Sequence, residues 1–171
     1  QLADAGVRDL AIAVDTVHDA MRPADNAARD MAVMALSDLA VRSRALRVGL
    51  FARGETDWAR HLLRGSIRAE GTDGRTWTLE TSVLDARDRS TVPGSASRQV
   101  VRARPPADGQ EGRLEFRKFG IDYSVRTAVD DHASAATRAL LELGALETVG
   151  RMARVPYWSC LGGSGDHPDV L

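Results

Sequence analysis

The chain has 171 residues, 43% apolar and 27% charged, which is the make-up of a folded domain with a sizeable core and excludes a disordered segment. Lys and Arg total 23 against 24 Asp and Glu, so no overall field draws in a polyanion, and no nucleic-acid partner is expected. The one cysteine, Cys160, excludes an internal disulfide framework and a four-thiolate metal site, and no apolar run approaches the roughly 20 residues of a membrane-spanning helix.

The chain opens at Gln1 with no basic, hydrophobic leader, so a signal segment is expected to be absent, trimmed or processed away. Arginine far outnumbers lysine, which occurs once, at Lys118, and the excess is read as coding bias. From Leu10, LAIAV is a short apolar run that reads as a buried first strand, with DTVHD following as a polar loop. Asp25 or Asn26 caps an amphipathic helix whose buried stripe is expected to be Ala27, Met31, Met34, Ala35 and Leu39. LRVGLF, residues 46–51, reads as a second buried strand, and strand, helix, strand in that order imply a right-handed parallel crossover.

Residues 55–62, ETDWARHL, are predicted as a short helix. Two strands follow, LRGSIRAE and RTWTLETSVLDA, joined at a GTDG hairpin turn in which glycine supplies the positive φ. In the second, Trp77, Leu79, Thr81 and Val83 share one face and Thr78, Glu80 and Ser82 the other, the mark of a sheet wet on one side. DARDRS is a turn, SASRQVVRAR another strand and PPADGQEG a loop. RLEFRKFGIDYSV changes parity, and a bulge near Lys118 is expected to restore its register. Asp130 or Asp131 caps a last helix with Ala136, Leu140, Leu143, Leu146 and Val149 inward and a flanking Glu147–Arg151 pair.

The fold class expected is α+β, or mixed α/β: a β-α-β crossover, an antiparallel meander of the remaining strands to make five or six in all, and a long C-terminal helix, with the helices packed on a mixed sheet. Residues 1–161 form one domain, and 162–171, GGSGDHPDVL, have linker composition leading to a possible further domain.

Chemistry is thinly represented. Asp15, His18 and Asp19 are a conceivable metal trio, but a polar loop accounts for them better, since no third histidine has ligand spacing. Asp130, Asp131 and His132 have the composition of an acid/base pair, and helix capping is the simpler role. His61 and His167 are isolated, and Gly162–Gly165 lacks the strand and helix that a nucleophile elbow needs. No phosphate-cradling glycine motif occurs, and neither a cofactor nor a metal is expected. Arg98, Arg102, Arg104, Arg113, Arg117 and Arg126 make the strands basic, either as a solvated outer face or as a contact for peptidoglycan, polysaccharide or an acidic partner, with an oligomer contact as a secondary reading. PYWSCL, residues 156–161, either plugs a core edge or anchors a neighbouring subunit, and Cys160 is open to a disulfide outside the chain.

The order of a first strand, NAARDMAVMALSDLAVRSRALRV, GSIRA, and the run from RKFGIDYSV to ALLELGALETVGRMARVPYW resembles the periplasmic domain of the curli secretion channel (CsgG-like) family over residues 10–161, in a branch ending in PYWxCL. The pore hairpins of that family need strands with an apolar lipid-facing side, and SASRQVVRAR and RLEFRKFG are short and rich in arginine. The resemblance implies a non-enzymatic, non-pore scaffold of the cell envelope, periplasmic and outer-membrane-associated, linked to secretion or surface-structure assembly. It self-associates or binds an envelope protein through Tyr157, Trp158, Arg102 and Arg117. A small hydrolase built on Asp15, His18 and Asp131, or a monomeric ligand-binding module, is the alternative.

Overall fold

A computed structural model describes residues 2, 6–21, 26–52, 57–71, 75–104, 111–118, 121–128 and 132–161, with 111–112, 117–118, 121–128 and 160–161 described by their backbone alone. The expected α+β class holds. Strands β1 (Leu10–Asp19), β2 (Leu46–Leu50), β3 (His61–Glu70), β4 (Thr76–Asp85), β5 (Ser97–Arg104), β6 (Glu111–Lys118) and β7 (Ile121–Ala128) form one seven-stranded sheet in the order β2-β1-β3-β4-β5-β6-β7. β1 runs parallel to both β2 and β3, and every later pairing is antiparallel. Helices α1 (Ala27–Ser43) and α2 (His132–Ala153) pack against each other and against the sheet, and a 3-10 helix, Tyr157–Leu161, closes the described chain.

β1 is longer than LAIAV alone, and the supposed polar loop Asp15–Asp19 is its second half. The strand starts buried on both faces: Ile12 and Val14 join the main core under the helices, while Ala13 belongs to a second apolar cluster with Ala59, Leu62 and Leu84. At Asp15 the register with β3 slips by one residue, pairing Val14 with Leu63 and Thr16 with Arg64. That bulge reverses the parity of the residues beyond it. Val17 enters the core, whereas Thr16 and His18 are exposed.

Three other expectations are corrected. The buried stripe of α1 is Ala28, Ala32 and Leu36, and Met34, expected inward, is 68% exposed. Small residues let the helix lie close to the sheet, and that closeness decides its rotation more than residue size does. β2 is a half-exposed edge strand, not a buried one, because only β1 flanks it. The predicted helix over 55–62 does not form as such: residues 53–56 lie outside the described residues, and His61 and Leu62 open β3, where Leu62 faces the second apolar cluster.

The parity change between Phe116 and Ile121 marks two strands rather than one bulged strand. β6 and β7 pair antiparallel with Phe116 opposite Tyr123 and Leu114 opposite Val125, so the apolar residues of both share a level. This raises the strand total to seven. The turn at residues 85–90 is as expected, held by Arg87 N donating to Asp85 Oδ1 at 2.7 Å and Ser90 N to Asp88 Oδ1 at 2.8 Å. Calls on Asp25, on the capping Asp130 and Asp131, on 72–74 of the GTDG turn and on the tail 162–171 fall outside the described residues.

In α2, Ala136, Leu140, Leu143 and Val149 are buried as expected, with Leu146 half-buried. The helix ends at Arg154, in the left-handed region (φ 54), where Val155 N donates to Gly150 O at 3.0 Å. This turns the chain back so that the Tyr157 ring lies on Gly150: a Cβ there would sit 2.4 Å from the ring's Cγ. Gly150→Ala should therefore unseat Tyr157. Despite the gain of about 1 kcal/mol in helix propensity, a net loss of about 1–2 kcal/mol is expected in a urea titration, and a more stable variant would mean that the segment is not seated there.

Candidate functional site

The helices cover one face of the sheet. The other carries the functional side chains that the sequence offered, and register puts them in rows. His18 on β1 opposes Ser66 on β3, Ser66 opposes Glu80 on β4, and Glu80 opposes Arg98 on β5. One step along, Thr16 opposes Arg64 and Arg64 opposes Ser82. Short hydroxyl side chains between longer charged ones leave an open groove lined by Thr16, His18, Arg64, Ser66, Glu80 and Ser82, with Arg98 at its β5 side.

The charges in this groove hold one another. Asp15, 16% exposed at its side chain, accepts from Arg64 Nε at 2.7 Å and lies 3.6 Å from Arg89. Glu80 pairs with Arg68, and Glu70 receives Arg98 at 2.7 Å. Farther along, Arg104 meets Glu115 at 2.9 Å. Each exposed pair contributes no more than about 1 kcal/mol; together they hold long side chains in a fixed pattern. On the same face is the second apolar cluster, where the benzo edge of Trp58 packs against Gly49 and the Arg89 guanidinium stands 4.7 Å from the centre of the Phe51 ring.

The trio Asp15, His18 and Asp19 does not converge. Asp15 is turned to two arginines, His18 is exposed on the groove, and Asp19 is buried with its carboxylate accepting from Met21 N at 2.9 Å. Asp131 lies outside the described residues, and no group of three or more His, Cys, Asp or Glu among the described residues is placed to hold a metal. His61 begins β3 and is half-buried. Of the contact residues, Arg102 is exposed, Trp158 is half-buried and Tyr157 is only 6% exposed, its ring meeting Trp158 edge to face at 5.2 Å. Arg117 is placed by backbone alone, on β6 opposite Asp122.

Sequence reasoning missed a second polar group, inside the protein. Glu147, expected on a helix flank, is 2% exposed. Its carboxylate receives Arg151 at 2.8 Å and the amide of buried Gln99 on β5. Arg151 also donates to the carbonyl of Ala96 at 3.0 Å and of Gly94 at 3.3 Å. Burial works against the charge of Arg151, yet the Glu147 carboxylate and Tyr157 outweigh it and raise its pKa. Burial, and then the charge of Glu147, push the Tyr157 phenol above its ordinary value. The hint in the sequence was Gln99, which shares the inward parity of Val101 and Ala103.

No protein-family model matches the chain, and no curated protein does. Solved structures similar to it include the PelC dodecamer from Paraburkholderia phytofirmans (TM-score 0.47, 15% identity, 82% of this chain and 89% of that one). A DUF330 protein from Xanthomonas campestris gives TM-score 0.48 at 11% identity over 86% and 87% of the two chains. A lipoprotein candidate from Caulobacter crescentus gives 0.33 at 16% identity over 86% and 92%. These likenesses concern the fold. They correct the resemblance to the curli secretion channel family: the neighbours found are PelC-like and DUF330 proteins, and no family or sequence match supports the curli assignment.

The buried group leads to two expected outcomes. Glu147→Ala takes from buried Gln99 its carboxylate acceptor, while Arg151 keeps the carbonyls of Gly94 and Ala96, and is expected to cost about 1–3 kcal/mol, whereas Glu80→Ala on the exposed face costs about 1 kcal/mol or less; paired urea titrations separate them. A phenol whose folded pKa exceeds the unfolded value of about 10 stabilises fully below that pH, and the contribution is lost as pH rises through the folded value. Tyr157→Phe should therefore flatten the alkaline decline in stability, and an unchanged decline would place its cause elsewhere.

Proposed function

We propose that this chain is a non-enzymatic, self-associating module of the cell envelope that works through its surfaces. The observation that carries self-association is the sheet itself: β2 lies at one edge and β7 at the other, and no described strand pairs with either outer side. Open edges are templates for pairing with another chain. Joining β2 of one copy to β7 of the next is a heterologous contact, which closes into a ring when the rotation permits.

The non-enzymatic reading is supported by the way Asp15 is committed to Arg64 and Arg89, apart from Asp19. Among the described residues no helix is long and apolar enough to cross a membrane. PelC is described as a dodecamer and the Caulobacter protein as a lipoprotein candidate, and the proposed envelope setting is in keeping with both descriptions. Trp158 and Arg102 are the accessible members of the proposed contact set, Tyr157 serves to seat Trp158, and Arg117 contributes from β6.

Light scattering after size exclusion, over a wide concentration range, should find a discrete oligomer. Phe51 N donates to Val14 O, so alternate amides of β2 face β1 and that of Val48 faces outward. Proline is tolerated on such an edge. Val48→Pro is expected to yield monomers that stay folded at a modest cost in melting temperature, since the Val48 side chain also packs on the core; a strict monomer in the unmodified protein would overturn self-association.

A further inference from the structure

Three arginines lie in one cross-strand row. Arg104 on β5 pairs directly with Arg113 on β6, and Arg113 pairs directly with Arg126 on β7. Their neighbours Ala103 and Leu114 are buried in the core, which puts Arg104 and Arg113 on the helix-free face, where both are exposed, with Arg126 at the next register position. Like charges placed directly opposite each other destabilise a sheet. Glu115, in the adjoining row, answers Arg104 from one side. A run of like charges opposes the pairing it sits on, and the face that carries it also holds, toward the other end of the strands, the groove of Thr16, Ser66 and Ser82.

We propose that this row binds an acidic polysaccharide. Neighbouring strands stand about 4.7–4.9 Å apart, so the row offers a cation at each such step. A chain with one carboxylate per sugar presents acids at comparable intervals, and guanidinium pairs well with carboxylate. An anionic lipid surface suits the row less well, because interfacial binding adds apolar insertion to charge. Among the described side chains the exposed large apolar ones are Met21 just past β1, Met34 and Val41 on α1 and Leu50 on β2, none of them on β5 or β6. The proposal does not rest on self-association, and a monomer that binds leaves it standing.

The test is calorimetric titration of the whole chain with a short oligogalacturonate and with a neutral oligoglucan of the same length. Saturable binding to the acidic oligomer alone is expected, weakening with added salt. Arg113→Thr and Arg126→Thr should each weaken it roughly tenfold or more, while melting stays level or rises as the like-charge contact is relieved. Arg42→Thr, on α1, should leave binding unchanged. The proposal is overturned by absence of saturable binding to the acidic oligomer, by binding that both row variants leave intact, or by a steep loss of stability in both. Capture by phosphatidylglycerol vesicles without oligosaccharide binding would assign the row to a membrane and overturn it equally.

Discussion

The fold depends on the position of β1. It is the only described strand with parallel neighbours on both sides, and for its first half it buries both faces, one under the helices and one against the smaller cluster around Leu62 and Leu84. A strand so placed must be apolar throughout, as LAIAV is. Once it passes beyond the reach of β2, which pairs only as far as Val14, one face returns to solvent and the requirement relaxes. The bulge at Asp15 manages that change: it lets Val17 stay in the core while Thr16 and His18 turn outward to line the groove. The same residue that disturbs the ladder supplies the carboxylate that fixes Arg64 and Arg89.

The second constraint is the buried ion pair on α2. Glu147 and Arg151 are one turn apart, a spacing that on an exposed helix contributes a few tenths of a kcal/mol. Here the carboxylate is out of water, and its value lies in the partners it forces into place. Gln99 ties it to β5, Arg151 reaches the carbonyls of Gly94 and Ala96 before β5, and Tyr157 closes over the group from the returning chain. A group of this kind adds less to stability than apolar residues of equal volume would, and what it supplies is a single register of helix on sheet. Gly150 completes it by leaving room for the Tyr157 ring.

How far the fold was legible depends on which physical signal each element carries. The alternation in β4 and the turn chemistry of residues 85–90 are local, and both were readable. The rotation of α1 was not, because Met34 and Leu36 are equally plausible inward residues until the sheet chooses the small-residue face of Ala28 and Ala32. The parity break after Phe116 was visible, yet a bulge and a reversal produce the same break, and only pairing with β5 and β7 distinguishes them. The candidate site was legible as residue types but not as an arrangement. Asp15, His18 and Asp19 look like neighbours in sequence, and strand geometry with a bulge sends them to different surroundings. Glu147 was missed because a charged residue four positions before an arginine is the usual sign of a solvated flank.

Charge apportionment links these points. Acids and bases nearly cancel over the whole chain, yet the helix-free face is uneven. Over β1, β3 and β4 the arginines are matched by Asp15, Glu70 and Glu80, whereas among the described side chains of β5 and β6 the exposed Arg102, Arg104 and Arg113 outnumber Glu115, which meets Arg104. Net charge therefore says little about this protein's surface. Because strand pairing at an edge extends a sheet in its own plane, a β2-to-β7 junction between copies would leave this face uncovered and bring the β7 end of the arginine row next to the β2 edge of the following copy. Strand pairing at the edges uses backbone groups and recognition across the face uses side chains; Arg102 and Arg117, in the proposed contact set, and Arg126 on β7 are where the two meet. Substituting Val48 on β2 blocks an edge without touching the row, and substituting Arg113 on β6 weakens the row without touching an edge.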